Sequence, residues 1–123
     1  MRLPFTEQDY TRALRKVWPG LSQRQRAVLH NVRAYHETVA PAFDMQALAE
    51  YCSEKPPAFL SIVGHIGSAM AEHMGASVKP GDGADAPVWY GILFDRAGDS
   101  RILLNLRIPF AKSLKHLDDL PLP

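Results

Sequence analysis

Hydrophobic positions recur at steps of three and four residues through the first 75 residues, which is the spacing that aligns side chains on one face of an α-helix. Breaks that contain proline, glycine or short polar residues separate four such stripes. The stripes are Tyr10, Ala13, Leu14 and Val17; Val28, Leu29, Val32 and Tyr35; Met45, Leu48, Ala49 and Cys52; and Phe59, Ile62, Val63, Ile66, Met70 and Met74. We therefore predict four amphipathic helices that share one core.

The residues around each stripe are typical of helix ends. Thr6, Ser22 and Asp44 precede the first three stripes, and their side-chain oxygens can accept hydrogen bonds from the free amides of a first turn. Ser22 also begins a capping box. Pro19-Gly20 is expected to stop the first helix, and Gly75 to end the fourth, which is predicted from about residue 58 to residue 74.

The pattern changes after residue 87, where two short apolar runs flank a turn. The runs are Val88–Phe94 and Arg101–Leu106, both rich in residues that suit a pleated, half-buried surface. Between them, Asp95–Ser100 collects turn-forming residues. We predict an antiparallel hairpin here, followed by a short final helix that Pro109 opens.

This order of elements predicts an α+β fold, namely a mainly helical winged helix-turn-helix with a C-terminal two-stranded hairpin and a short final helix. We expect an N-terminal basic helix over residues 1–20, a winged-helix domain over residues 21–117 and a flexible tail over residues 118–123. In such a fold the fourth helix is the recognition helix, whose exposed side chains enter the major groove of DNA.

A chain of 123 residues, 46% of them hydrophobic and 22% charged, has the length and composition of one ordinary globular domain. Cys52 is the only cysteine, so neither a disulfide nor a cysteine-based zinc site can form within the chain. A reducing, cytoplasmic location fits best. No segment approaches the roughly 20 apolar residues that span a bilayer, so we expect no membrane partner.

Charge is distributed unevenly, although the net charge is only +1. Residues 1–36 contain seven basic and two acidic residues, a balance of +5, whereas residues 37–123 have a balance of −4. A basic first third is typical of a surface that faces a polyanion, which here would be double-stranded DNA. The same pattern also suits a solvated helical face, and both interpretations stay open.

Ten side chains are the candidate DNA contacts of this fold. They are Arg24, Arg26 and Arg33 on the second helix; Lys55, Ser61, His65 and Ser68 at the approach to the fourth helix and along its polar face; and Arg96, Arg101 and Arg107 in or beside the hairpin. The basic residues would contact phosphates. The polar face of the fourth helix lacks the arginine or asparagine pairs that best read guanine or adenine, so we expect modest sequence discrimination.

Nothing in the sequence favours an enzyme, and we expect no catalytic residue, cofactor or metal. His65 and His73 are eight residues apart, and His30 and His36 are six apart, so neither pair has the spacing of four residues at which histidines share a metal on one helix. Glu72 has no visible partner carboxylate for acid–base work. We therefore predict a non-enzymatic protein.

Three short motifs carry a resemblance to a known family. They are Gly64-His65-Ile66-Gly67, Trp89-Tyr90-Gly91-Ile92-Leu93, and Leu106-Arg107-Ile108-Pro109-Phe110-Ala111-Lys112-Ser113-Leu114. Together they resemble the helix-turn-helix or winged-helix domain that often precedes an HNH nuclease domain in bacterial restriction-like proteins. That domain tends to carry a Gly-x-Leu-Gly helix, a tryptophan-led strand and an Arg-Pro-x-hydrophobic ending. The resemblance spans about residues 21–117.

The chain departs from that family at two positions. His65 stands where a basic residue is usual, and Ile108 intervenes between Arg107 and Pro109. No metal-binding histidines and asparagine follow, so the resemblance does not imply nuclease activity. It implies a DNA-engaging accessory module, involved in host defence or in reading modified bases.

Two functions follow as expectations. The first is a winged-helix DNA-binding protein, acting as a regulator or a defence-associated accessory factor. The alternative is a protein-interaction module on the same fold, either a dimerising adaptor or a small inhibitor of a nuclease or regulator. The low net charge and the apolar hairpin favour the alternative, whose partner would be a second copy of the chain or another protein.

Overall fold

The computed structural model describes residues 5–40, 42–75, 92–96 and 103–120, and these ranges contain five α-helices of at least seven residues and three short strands. The helices are α1 (Glu7–Val17), α2 (Gln23–Thr38), α3 (Met45–Tyr51), α4 (Pro56–Met74) and α5 (Ile108–Leu114). The strands are β1 (Ala42–Phe43), β2 (Phe94–Arg96) and β3 (Leu104–Leu106). Single 3₁₀ turns, Trp18–Gly20 and Leu117–Asp119, follow α1 and α5. The mainly helical content with a small sheet confirms the predicted α+β class.

Side-chain caps begin the first three helices where the sequence predicts them. The Asp9 amide donates to Thr6 Oγ1 at 3.2 Å, and the Thr6 amide donates in return to the Asp9 carboxylate at 2.8 Å. That second hydrogen bond holds the pKa of Asp9 below its ordinary value. Ser22 and Gln25 form the same reciprocal pair at the start of α2, with distances of 3.1 and 2.8 Å. Asp44 caps α3.

Left-handed backbone follows the C-terminal ends of both α3 and α4. Gly75 has a φ of +72° and ends the helix, as predicted, without the steric cost of a side chain. Ser53, in the turn between α3 and α4, has a φ of +58°. A residue with a β-carbon adopts this conformation at a cost of roughly 1–2 kcal/mol, so the surrounding hydrogen bonds must hold it there.

The sheet has three antiparallel strands in the order β1-β3-β2. Phe94 pairs with Leu106 and Arg96 pairs with Leu104, so β2 and β3 form an antiparallel pair, as predicted. The turn predicted over residues 95–100 is wrong at Asp95 and Arg96, which lie in β2, and residues 97–100 are outside the described ranges. The strand predicted over 88–94 is wrong at Ile92 and Leu93, which have helical backbone. Both side chains are buried, whereas neighbouring residues of a strand point to opposite faces. The rest of that prediction, residues 88–91, lies outside the described residues.

Strand β1 was not predicted from the sequence. It pairs with β3 and brings Phe43 opposite Leu104. The Phe43 ring then packs edge-on against Phe94, with 5.8 Å between ring centroids. Two residues are too few to show the alternation of a strand, and the partner strand lies about 60 residues away in the chain. A local sequence pattern therefore could not predict β1.

One core joins the described helices and the sheet. Its largest fully buried side chains include Trp18, Tyr10, Phe59 and Phe110. The Tyr10 hydroxyl donates to the Ile92 carbonyl at 2.7 Å, and burial raises the pKa of Tyr10 to about 12. Because α1 packs against both α4 and α5, the N-terminal basic helix shares the core of the region predicted as the winged-helix domain.

The beginning of the predicted tail also belongs to this core. Leu117 and Leu120 are buried, and Asp118 pairs with Arg33 at 3.1 Å. The flexible tail predicted over residues 118–123 therefore differs from the structure at 118–120, because a second apolar side chain at Leu120 packs inward. Residues 121–123 lie outside the described ranges.

Replacing Tyr10 with phenylalanine should destabilise the fold. The Tyr10→Phe change leaves the Ile92 carbonyl without its donor, and an unsatisfied buried polar group costs about 1–3 kcal/mol. Urea denaturation of both proteins measures the difference. Tyr35→Phe is the control, because the Tyr35 hydroxyl makes no hydrogen bond among the described residues. Equal stability of Tyr10→Phe and the wild type would contradict this account.

Candidate nucleic-acid interface

Helices α3 and α4 pack against each other across a turn of four residues, Cys52 to Lys55. Two backbone hydrogen bonds shape this turn. The Ser53 amide donates to the Glu50 carbonyl at 2.9 Å, and the Glu54 amide donates to the Ala49 carbonyl at 2.9 Å. These bonds hold the left-handed Ser53, and the chain reverses direction sharply enough for α4 to begin at Pro56.

The polar face of α4 is open to solvent. Ser61, His65 and Ser68 are all exposed, at helical steps of four and three. The core-facing side of the same helix buries Phe59, Val63, Ile66 and Met70. Lys55, at the N-terminal end of α4, is exposed as well. The four residues predicted here therefore form one accessible face, whose only cation is a lysine at one end.

The predicted contact Arg24 is engaged within the protein. Its Nε donates to Glu54 Oε2 at 2.7 Å, and its Nη2 forms a second ion-paired hydrogen bond with Glu54 Oε1. The hydrogen bonds from Arg24 lower the pKa of Glu54, and the carboxylate in turn raises the pKa of Arg24. Glu54 lies in the α3–α4 turn, so this pair ties α2 to that turn.

The other two arginines of α2 also have partners in the chain. Arg26 donates from Nε and Nη2 to the Trp18 carbonyl, at 3.2 and 2.8 Å, and its guanidinium stands 5.1 Å from the centre of the Trp18 ring. Arg33 pairs with Asp118 at 3.1 Å and with Glu37 at 3.4 Å. Phosphate binding at α2 would therefore compete with contacts that already hold these side chains.

The hairpin arginines fall at different points of the β2–β3 ladder. The backbone of Arg96 is in β2, where it pairs with Leu104. Arg107 follows β3 at the opposite end of the ladder, and its amide donates to the Leu93 carbonyl at 2.9 Å. Arg101 lies outside the described residues. Arg96 and Arg107, both predicted in or beside the hairpin, therefore lie at opposite ends of the β2–β3 ladder.

Five other cations are exposed but were not among the predicted contacts. They are Arg12, Arg15 and Lys16 on α1, Lys112 on α5 and Lys115 directly after α5. The spacing on each helix reveals an outer face, but only the tertiary structure shows that α1 and α5 are packed side by side. None of the five forms an ion pair with another described residue.

The described residues were also compared with the requirements of a reactive cysteine, a metal site and a membrane span. Cys52 is buried, and burial raises the pKa of its thiol to about 11. Within residues 5–40, 42–75, 92–96 and 103–120, no three histidine, cysteine, aspartate or glutamate side chains are grouped to hold a metal ion. No helix of these ranges has both the length and the apolar character needed to cross a membrane.

Comparison of the chain with protein-family models, with curated proteins and with solved structures gave no match.

The Cys52 thiol should react slowly with thiol reagents in the folded protein. Its raised pKa leaves little thiolate at pH 8, and its side chain is buried with Sγ 4.0 Å from the Val28 carbonyl oxygen. We expect iodoacetamide to modify it at least roughly tenfold faster in urea than in buffer, by mass spectrometry, because unfolding restores a thiol pKa near 8.5. A free-cysteine peptide is the control. Equally rapid modification of the native protein would contradict the assigned burial.

The Arg24–Glu54 pair should make stability depend on pH. The folded-state pKa of Glu54 lies below its ordinary value of 4.5, so the pair stabilises the fold above that pH, and the contribution is lost as the pH falls through the folded pKa. We expect the gap in unfolding free energy between wild type and Glu54→Gln to be constant from pH 6 to 7 and to shrink below pH 4.5. Glu72→Gln, on the exposed face of α4, is the control. A pH-independent gap would sink this assignment.

Proposed function

We propose that this protein is a non-enzymatic winged-helix DNA-binding protein, acting as a regulator or a defence-associated accessory factor. The observation that carries the proposal is the α3–turn–α4 unit, whose second helix exposes Ser61, His65 and Ser68 along one face. In a helix-turn-helix protein the second helix lies in the major groove and its N-terminal residues contact base edges.

The sheet supports the winged-helix part of the proposal. A wing is an antiparallel hairpin that follows the helix-turn-helix unit, and β2 and β3 follow α4 in the chain. Strand β1 lies between α2 and α3 and pairs with β3, so the hairpin is joined to the helices by backbone hydrogen bonds. This attachment would keep the hairpin at a defined position beside the helical unit.

The chemistry of the α4 face favours weak base discrimination. Serine hydroxyls and the His65 imidazole can both donate and accept hydrogen bonds, so they distinguish bases less sharply than a bidentate arginine or asparagine. Lys55 at the N-terminal end attracts phosphate, whereas the exposed Glu72 near the C-terminal end repels it. The N-terminal half of α4 is therefore the part that would approach DNA, and phosphate contacts would supply most of the affinity.

Salt dependence of duplex binding tests the proposal. If four to six cations meet phosphates, the log–log slope of affinity against salt should be about −4 to −5 in fluorescence anisotropy.

A triple variant of the α4 face, Ser61→Ala, His65→Ala and Ser68→Ala, tests base contacts. It should reduce the differences in affinity between duplexes of different sequence more than it reduces the average affinity. The panel includes plain, methylated and hydroxymethylated duplexes. Absent binding at about 50 mM salt, or binding that is flat with salt, would count decisively against a DNA-binding function.

A protein-interaction module is the second candidate, and exposed apolar side chains favour it. Tyr51 ends α3 and Leu60 lies in the second turn of α4, so these two residues lie on either side of the turn. Their side chains are 40% and 38% exposed. Val39 and Ile108 are exposed to 55% and 70%. Light scattering of the pure protein separates the two functions, because a dimerising adaptor self-associates without DNA. A monomer whose mass changes only when duplex is added would exclude the adaptor.

A further inference from the structure

The outer face of α1 is basic. Arg12, Arg15 and Lys16 follow one another at steps of three and one, which places them on a single side of the helix. All three are exposed, whereas Tyr10, Ala13, Leu14 and Val17 are buried on the other side. Because these apolar residues anchor α1 to the core, its three cations point outward from a rigid element.

Helix α5 lies antiparallel beside α1. Glu7, at the start of α1, contacts His116 just beyond the end of α5, with 3.1 Å between Oε2 and Nε2. One turn later, Tyr10 meets Phe110 in the first turn of α5, with 5.8 Å between ring centroids. Lys112 and Lys115 are exposed on the side of α5 away from the buried Phe110 and Leu114, just as the α1 cations lie away from the buried side of α1.

The exposed cations of the two helices therefore form one surface. We call it the α1–α5 basic surface, and its members are Arg12, Arg15, Lys16, Lys112 and Lys115. Helices in contact lie about 8–10 Å apart, so the surface consists of two neighbouring rows of positive charge.

The carboxylates nearest to this surface already have partners. Asp9 accepts the Thr6 amide at 2.8 Å, and Glu7 contacts His116. Asp118 pairs with Arg33 at 3.1 Å, and Asp119 lies 3.7 Å from His116. None of these carboxylates forms an ion pair with the five cations, although the Asp9 carboxylate attracts Arg12 one turn along α1. Five cations on two adjoining helices leave this surface with a positive potential.

We propose that the α1–α5 basic surface, rather than α2, binds the sugar-phosphate backbone of DNA and supplies most of the phosphate contacts of this protein. Long cationic side chains on an open helical surface suit a repeating polyanion, whereas a small anion needs a pocket. Protein interfaces, by contrast, are depleted in lysine.

The contrast with α2 strengthens this assignment. Arg24, Arg26 and Arg33 would have to leave Glu54, Trp18 and Asp118 before binding phosphate. The five cations of the α1–α5 basic surface make no ion pair that must first be broken within the described part of the chain. The inference rests on the proposed DNA-binding function, and the experiment distinguishes failure of one from failure of the other.

The test compares two triple variants with the same change in net charge. The first, Arg12→Gln, Arg15→Gln and Lys16→Gln, removes the α1 row from exposed positions. The control, Arg24→Gln, Arg26→Gln and Arg33→Gln, removes the three α2 cations predicted from the sequence, which already have partners within the chain. Circular dichroism and thermal unfolding verify that each variant is folded. Each protein is then titrated with a fluorescent duplex of about 20 base pairs at four salt concentrations.

The α1 variant lacks three cations, and each phosphate contact contributes about 0.9 to the log–log salt slope. We therefore expect its slope to be less steep than that of the wild type by roughly 2.7. Its affinity at about 50 mM salt should fall by at least tenfold, and the control should change much less. Lys112→Gln with Lys115→Gln should independently lower the slope by roughly 1.8. Agreement of the two helices would support one continuous surface.

Several outcomes would overturn the inference. If the control loses as much affinity as the α1 variant, or more, the phosphate contacts are not concentrated on the α1–α5 basic surface, while the DNA-binding function stands. If the wild type binds no duplex at any salt, the DNA-binding function itself fails. A parallel titration with phosphatidylserine vesicles tests whether the surface binds an anionic membrane instead of DNA. Vesicle binding that the α1 variant abolishes, without any duplex binding, would assign the surface to anionic lipid instead.

Discussion

Burial of one side of α4 is the constraint on which the rest of this structure depends. Phe59, Ile66 and Met70 are fully enclosed, and each buried side chain of this size stabilises a fold by about 1.5–3 kcal/mol. Helices α1, α2 and α3 all pack against α4. Because the apolar side must face these neighbours, the opposite side is left in solvent, and this places Ser61, His65 and Ser68 where a partner can reach them.

The arginines illustrate why a basic sequence is not the same as a basic surface. The first third of the chain has a clear excess of positive charge, yet Arg24 and Arg33 pair with carboxylates from distant parts of the chain. Glu54 and Asp118 are 30 and 85 residues away, so neither pair can be read from local spacing. The exposed cations of α1, and Lys112 and Lys115 in and just after α5, by contrast form no ion pair within the described part of the chain.

The strongest sequence predictions concern features that depend on neighbouring residues. The Thr6, Ser22 and Asp44 caps, the stop at Gly75 and the buried stripes of α1 and α4 are all confirmed, because each needs only a few consecutive residues. Predictions of strands were less accurate, because a strand depends on a partner that is distant in the chain. Ile92 and Leu93 read as strand by composition, but tertiary packing buries both of them in helical backbone. Strand β1 exists only because β3 is beside it.

The sequence by itself determined the helices, their caps and the two faces of α4, since helical periodicity and capping are local properties of the chain. The candidate contacts on α4 follow from that periodicity and are exposed as expected. Only the tertiary structure decided which cationic side chains form ion pairs within the protein, because pairs such as Arg24–Glu54 join segments that the fold brings together. It also decided that α1 and α5 lie side by side, since the contacts that align them, Glu7 with His116 and Tyr10 with Phe110, span about a hundred residues of chain.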